Sequence, residues 1–218
     1  MCHALRTSAN STRLSVYKPS LILRAQAPIS ECAAQKRASR YACVTIVIMK
    51  LCIVSDSHDR SDALAQAVRA AAAEGAAAVI HCGDVIGTQT LRAAMDVGLP
   101  IHVIHGNNLG DPVSLSRWAH ESGGLLRYHG ADARLNLNGR RIFVVHYPEY
   151  GYAMACTGEW DIVCCGHSHV AGCERVDNVK NGATWLVNPG TVAGLAAPRT
   201  WVLGDLEAML FQVRTAAT

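Results

Sequence analysis

From Met49 onward the chain alternates short apolar runs with stretches rich in helix formers. KLCIVSD, starting at Lys50, predicts a strand, and AAVIHCGD, ending at Asp84, predicts a second. Between them SDALAQAVRAAAAEG predicts a helix, with Ser61 or Asp59 placed to cap its start and Gly75 to stop it. The helical stretch TQTLRAAMDVG leads to a third strand, IHVIHGNN, and PVSLSRWAHESG predicts the next helix. Strands and helices alternating in this way argue for a parallel sheet built by right-handed crossovers.

Past Gly123 the pattern changes. LLRYHG, ARLNLNGRRIFVVH and GATWLVNPG read as strands with tight links, and Asn138-Gly139 is a hairpin signal. PEYGYAMACTG reads as a helix, and RTWVLGDLEAMLFQV as a terminal hairpin. Parallel units followed by an antiparallel-rich half predict two packed sheets flanked by helices.

Composition bounds the class. Of 218 residues, 50% are hydrophobic and 17% charged, a globular balance. No apolar run reaches the roughly 18 residues of a membrane span. The net charge of +3 hides an asymmetry: residues 1–48 hold seven Lys/Arg and one acid, Glu31, leaving 13 basic and 16 acidic residues for the rest. The remainder is mildly acidic and shows no basic stripe, so nucleic acid is not an expected partner. Residues 1–48, rich in Ser and Arg and poor in acids, read as a disordered leader, either an over-long start before Met49 or a transit peptide. Residues 49–218 then form a single domain. Nine cysteines, five of them (Cys43, Cys52, Cys82, Cys164, Cys165) inside apolar runs and none in a CxxC pair, fit a reduced, cytoplasmic compartment, with organelle import the alternative if the leader is real.

The chemistry collects where strands end. The first strand ends in Asp56 and His58, the second in Asp84, the third in Asn107, and IFVVH in His146. DIVCCGHSHV adds His167 and His169, which in an extended segment would point to the same side. Carboxyl ends of parallel strands meet at one edge, where ligands bind. Two carboxylates, one amide and four imidazoles suit two divalent ions that share a carboxylate. Ions about 3.5–4 Å apart can hold a bridging hydroxide and clamp both oxygens of a phosphoryl transfer. Mixed imidazole and oxygen ligation favours manganese, iron, nickel or zinc over calcium or magnesium.

Asp-x-His, Gly-Asp, Gly-Asn, His and Gly-His-x-His, in this order and each after an apolar run, resemble the calcineurin-like metallophosphoesterase superfamily. The compact size and the NPGT at Asn188 to Thr191 resemble its small YfcE/MJ0936 branch, which includes the retromer subunit Vps29. The resemblance runs from about Lys50 to the terminal hairpin. It implies a four-layer αββα sandwich of two mixed β-sheets flanked by helices. It implies two divalent ions, manganese foremost: Asp56, His58 and His169 on one, Asn107, His146 and His167 on the other, and Asp84 bridging. A bridging hydroxide would attack phosphorus in line, with no protein nucleophile. The chain departs from the pattern at Asn108, where many larger members carry a histidine that protonates the leaving group, and at Leu109 and Tyr147. An amide is no general acid, so His105 or a metal-bound water becomes the alternative donor.

The expected activity is therefore hydrolysis of a small phosphorylated substrate, a diester before a monoester, with no membrane partner and a homo-oligomer left open. The competing reading is a Vps29-like binding scaffold with degraded ligation, disfavoured because all seven positions are filled. His81, His102, His120 and His129 read as structural, Asp59 and Asp62 as helix-cap charges, and the four tryptophans as packing residues. Gly83, Gly106 and Gly166 read as turn residues that also let backbone approach the site.

Overall fold

The structure, a computed structural model, describes residues 49–215. The expectation for the leader lies outside them. In chain order the elements are β1 (Lys50–Val54), α1 (Ser61–Ala73), β2 (Ala76–His81), a 3-10 turn (Thr88–Leu91), α2 (Arg92–Met95), β3 (Ile101–Val103), α3 (Pro112–Glu121) and β4 (Leu126–Tyr128). There follow β5 (Asp132–Leu137), β6 (Arg140–Val145), α4 (Pro148–Cys156), β7 (Ile162–Cys164), β8 (Ala171–Asp177), β9 (Ala183–Pro189), β10 (Thr200–Asp205) and β11 (Leu210–Thr215).

Two mixed sheets result, one ordered β11-β10-β1-β2-β3-β4 and the other β5-β6-β7-β9-β8. β1 to β4 are parallel, and β10 closes antiparallel onto β1 with Lys50 opposite Asp205. β6, β7 and β9 are parallel, with β5 and β8 antiparallel at the edges. The strand alternation sorts side chains into three apolar layers. Cys52 and Val54 face Leu64 and Val68 of α1, whereas Leu51, Ile53 and Ile80 join Ile142, Ile162 and Val187 between the sheets. Phe143, Val163 and Leu186 pack beyond the second sheet with Ala155 of α4. Helix, sheet, sheet and helix make four layers, as the family resemblance implies.

The second half is antiparallel-rich as expected, with the β6-β7 and β7-β9 pairs parallel at the centre of its sheet. Three details differ from expectation. LLRYHG does not join the antiparallel half; β4 extends the first sheet parallel to β3. TQTLRAAMDVG forms only a 3-10 turn and one turn of helix. No side chain caps α1: Arg60 occupies that position, Asp59 Oδ1 accepts from Gly87 N–H (2.7 Å) and Thr90 Oγ1 (2.9 Å), and Ser61 Oγ donates to the Thr90 carbonyl (3.1 Å). Asp59 is thus a loop clasp. The Asn138-Gly139 hairpin forms as expected, with φ of 51° and 74°. Among the described residues no helix is long and apolar enough to cross a membrane.

Ile80 has no exposed surface and lies between the sheets. Ile80→Ala should lower unfolding stability by about 2–5 kcal/mol in urea denaturation. Val213→Ala, on the half-exposed face of β11, should change it by less than about 0.5 kcal/mol.

Candidate metal centre

The loops after β1 and β2 are stitched together: Asp56 N–H donates to the Gly83 carbonyl and His58 N–H to the Asp84 carbonyl, both at 3.0 Å. The loop after β7 joins them, with His167 N–H donating to Asp56 Oδ2 (3.0 Å) and Gly166 N–H to the His146 carbonyl (2.9 Å). Five of the seven candidate side chains fall into two clusters here, and Asn107 and His167 stand beside His146. Asp56, His58 and His169 form one cluster and Asp56, Asp84 and His146 a second, the offered atoms in each lying within 4.8 Å of one another. Asn107 Oδ1 is 2.9 Å from His146 Nε2, and the His167 ring stands 5.2 Å from the His146 ring.

The geometry of the two histidines differs from the extended-segment expectation. His167 and His169 do not share one direction: His169 turns to Asp56 and His58, while His167 lies edge-on to His146. The reason is the backbone. Asp56, His58, Asp84, His167 and His169 all lie at φ between 39° and 66°, the left-handed region that costs a non-glycine residue about 1–2 kcal/mol. Strain of this kind gathers at functional sites, held there by the surrounding structure. Glycines let the loops close in. A Cβ at Gly106 would land on Asp84 Oδ1, and one at Gly166 on Ser55 Oγ, 2.9 Å from Asp56 Oδ2.

The hydrogen bonds decide which atoms are free. His146 Nδ1–H donates to the Cys82 carbonyl (2.8 Å) and His169 Nδ1–H to the Leu195 carbonyl (2.9 Å). With Nδ1 as the donor, the neutral form of each ring presents a bare Nε2 lone pair to the centre. Around His146 Nε2 stand Asn107 Oδ1 and Asp84 Oδ1 (3.5 Å); around His169 Nε2 stand Asp56 Oδ1 (3.3 Å) and His58 Nε2 (3.3 Å). Asp56 is fully buried, and its Oδ1 accepts no hydrogen bond. Acceptors aimed at acceptors, with a buried carboxylate oxygen left over, are the donor set that a cation calls for. The residues fit divalent metal ions.

Other positions have supporting geometry. Asn108 grips Asp84 from both sides, backbone N–H to Oδ1 (2.9 Å) and amide Nδ2 to Oδ2 (2.6 Å). His105 belongs to neither cluster; its Nδ1 meets the Tyr128 hydroxyl, and burial followed by the neighbouring His146 lowers its pKa. His81 is structural, as expected: Gly83 N–H donates to its Nδ1, its Nε2 reaches Ser57 Oγ, and burial holds its pKa down at about 3. His102 and His129 pair with each other, ring on ring at 5.2 Å.

Several further residues, noted in the sequence only as motif positions, hold the site together. Asn188 donates to the Gly166 carbonyl (2.9 Å) and Ser168 Oγ (3.0 Å), holding the loop that carries His167 and His169. Thr191 Oγ1 donates to the Asp56 carbonyl (3.0 Å). Tyr147 sets its ring 4.8 Å from His167 and 5.4 Å from His146. Two cavities flank the centre. One of about 530 Å³ opens at Asp59, beside His58, and is lined by Arg60, Arg69 and Arg199 together with Asp62. The other, about 510 Å³, is lined partly by His146 and Gly106 themselves.

A profile of the calcineurin-like phosphoesterase superfamily domain matches residues 49–209. The phosphodiesterase MJ0936 of Methanocaldococcus jannaschii is 27% identical over 150 residues, covering 67% of this chain and 86% of that one. Among solved structures, an archaeal phosphodiesterase superimposes with a TM-score of 0.67 at 24% identity, over 77% of this chain and 99% of that one. YfcE, a phosphoesterase of E. coli, superimposes with a TM-score of 0.51 at 18% identity, over 78% and 100%.

A donor set of this kind should stabilise the fold when filled. Manganese at about 100 times its Kd should add about 2.7 kcal/mol per site, read as a rise in Tm by calorimetry. Asp56→Asn should melt no lower than wild type without metal, because it removes an uncompensated buried anion, and should abolish the rise at the Asp56–His58–His169 cluster. An unchanged rise would exclude Asp56 as a ligand.

Proposed function

The chain belongs to the calcineurin-like phosphoesterase superfamily, and from that premise we propose that it is a phosphodiesterase working with two divalent metal ions. The observation that carries this reading is the unsatisfied Asp56 Oδ1 at the junction of the two acceptor clusters. In this assignment Asp56, His58 and His169 hold one ion, Asn107, His146 and His167 hold the other, and Asp84 is shared. Asp56, within reach of both clusters, fixes their spacing. Manganese leads, ahead of iron, nickel or zinc, because imidazole and carboxylate are combined. When bound, such ions supply a water of lowered pKa as nucleophile and neutralise the charge on the phosphate.

The remaining roles fall to the chain itself. Asn108 immobilises Asp84 and so orients the shared carboxylate. The Cys82 and Leu195 carbonyls set the tautomers of His146 and His169, keeping their lone pairs on the site. His105, steadied by Tyr128 at the edge of the cavity beside His146, is assigned as the group that meets the leaving oxygen. Residues 49–218 are taken as the catalytic domain. The six described cysteines are free thiols, which supports a reducing, cytoplasmic setting.

The diester preference draws on the named relative and on charge. A monoester dianion calls for a guanidinium at the phosphate. Among the described residues no arginine hydrogen-bonds or pairs with a member of either cluster; Arg60, Arg69 and Arg199 line the neighbouring cavity instead.

The test is manganese-dependent release of p-nitrophenol from bis(p-nitrophenyl) phosphate and from p-nitrophenyl phosphate. The diester should be turned over faster, and Asp84→Ala should lower kcat/KM by about a thousandfold or more. His105→Ala should slow esters of poor leaving alcohols far more than the nitrophenyl ester. Faster turnover of the monoester would reverse the substrate assignment. Metal uptake without turnover of either would point to a more selective substrate, and no metal uptake would favour a binding scaffold.

A further inference from the structure

The cavity beside His146 differs in kind from the centre it adjoins. Its floor is Gly106 and His146, and its walls are Phe143 and Val145 of β6 with Tyr147, Tyr150 and Met154 at and along α4. At about 510 Å³ it falls within the range of small-molecule sites. Tyr147 joins the two regions. Its ring sits edge-on to His167 and His146 on one side and 5.6 Å from the Tyr150 ring on the other. Tyr150 is 63% exposed, an aromatic surface that no described residue covers. A group lying against it is one side chain away from the candidate ligands.

We propose that this cavity seats one ester arm of the phosphodiester substrate, and that the arm is an uncharged aromatic or heteroaromatic ring. The proposal rests on the phosphodiesterase reading and adds the class of ester. Shape and chemistry lead to it. A flat ring can stack offset or edge-on with Tyr147 and Tyr150 and touch the Met154 thioether, contacts that an alkyl arm makes less well. The one acid in the lining, Asp132 at the start of β5, has no ion-pair partner among the described residues. Its carboxylate repels an anionic arm and accepts a hydrogen bond from a ring N–H or an exocyclic amine. The ester class is then that of nucleoside-like or aryl phosphodiesters, with the heterocycle on the His146 side of the centre.

The test compares two non-hydrolysable ligands, phenylphosphonate and methylphosphonate, which share the metal-seeking group and differ only in the ring. Both are titrated calorimetrically into the manganese-loaded chain. Phenylphosphonate should bind about tenfold tighter. Ala153→Trp, on the exposed side of α4 and filling the cavity, should bring the ratio close to one. Tyr150→Ala, which opens the wall instead, should reduce it severalfold. Equal binding of both ligands to wild type would overturn the proposal while leaving the metal centre intact. A ratio that survives both substitutions would place the ring elsewhere and overturn it too. Failure of either phosphonate to bind, with no turnover of bis(p-nitrophenyl) phosphate, would overturn the underlying phosphodiesterase reading.

Discussion

A buried carboxylate oxygen with no hydrogen-bond donor is costly to keep, by about 1–3 kcal/mol and more when the group is charged. Asp56 Oδ1 is such an atom, and the surrounding structure is arranged to leave it so. The two imidazoles nearest it, His58 and His169, are turned with nitrogen toward it. Its own second oxygen is already occupied by the His167 N–H. Its carbonyl carries Thr191 Oγ1 and the Ala193 N–H. Everything that touches Asp56 fixes its position, and nothing neutralises it. The left-handed backbone of the candidate residues adds strain to the same place.

This arrangement was legible to different depths. Period-two and 3.6-residue patterns locate nearly every element, because central strands such as β1 and β7 are buried on both faces and leave continuous apolar runs. β8 escapes that test. It is an edge strand in which only Val176 is buried, and AGCERVD has no run to announce it. β4 is visible as a strand but not as a member of the first sheet, since sheet membership depends on crossovers that local periodicity does not encode. The cap on α1 fails as an expectation because Asp59 and Ser61 find tertiary partners across the chain at Gly87 and Thr90.

The candidate site was more legible than the fold around it. Strand ends are punctuated by Gly-Asp, Gly-Asn and Gly-His, and the topology brings them together without further instruction. What local sequence conceals is direction. The i, i+2 relation of His167 and His169 suggests a common target, yet with positive φ at both residues His169 joins the Asp56–His58 cluster while His167 lies beside His146. Backbone carbonyl partners such as Cys82 and Leu195 are likewise invisible, since any residue type offers a carbonyl. Asn108, which reads as the loss of a proton donor, turns out to brace Asp84.

Each cluster draws its members from both sheets: Asp56, His58 and Asp84 follow strands of the first, His146 and His169 strands of the second. The distance between the candidate ligands is therefore set by how the two sheets stack, through Ile53, Ile80, Ile142 and Ile162, well away from the loops. The inter-sheet core belongs to the chelating ring. A methylene removed there, with every candidate ligand untouched, would alter the spacing of both clusters together, so any affinity for ions would be in part a property of the aliphatic packing.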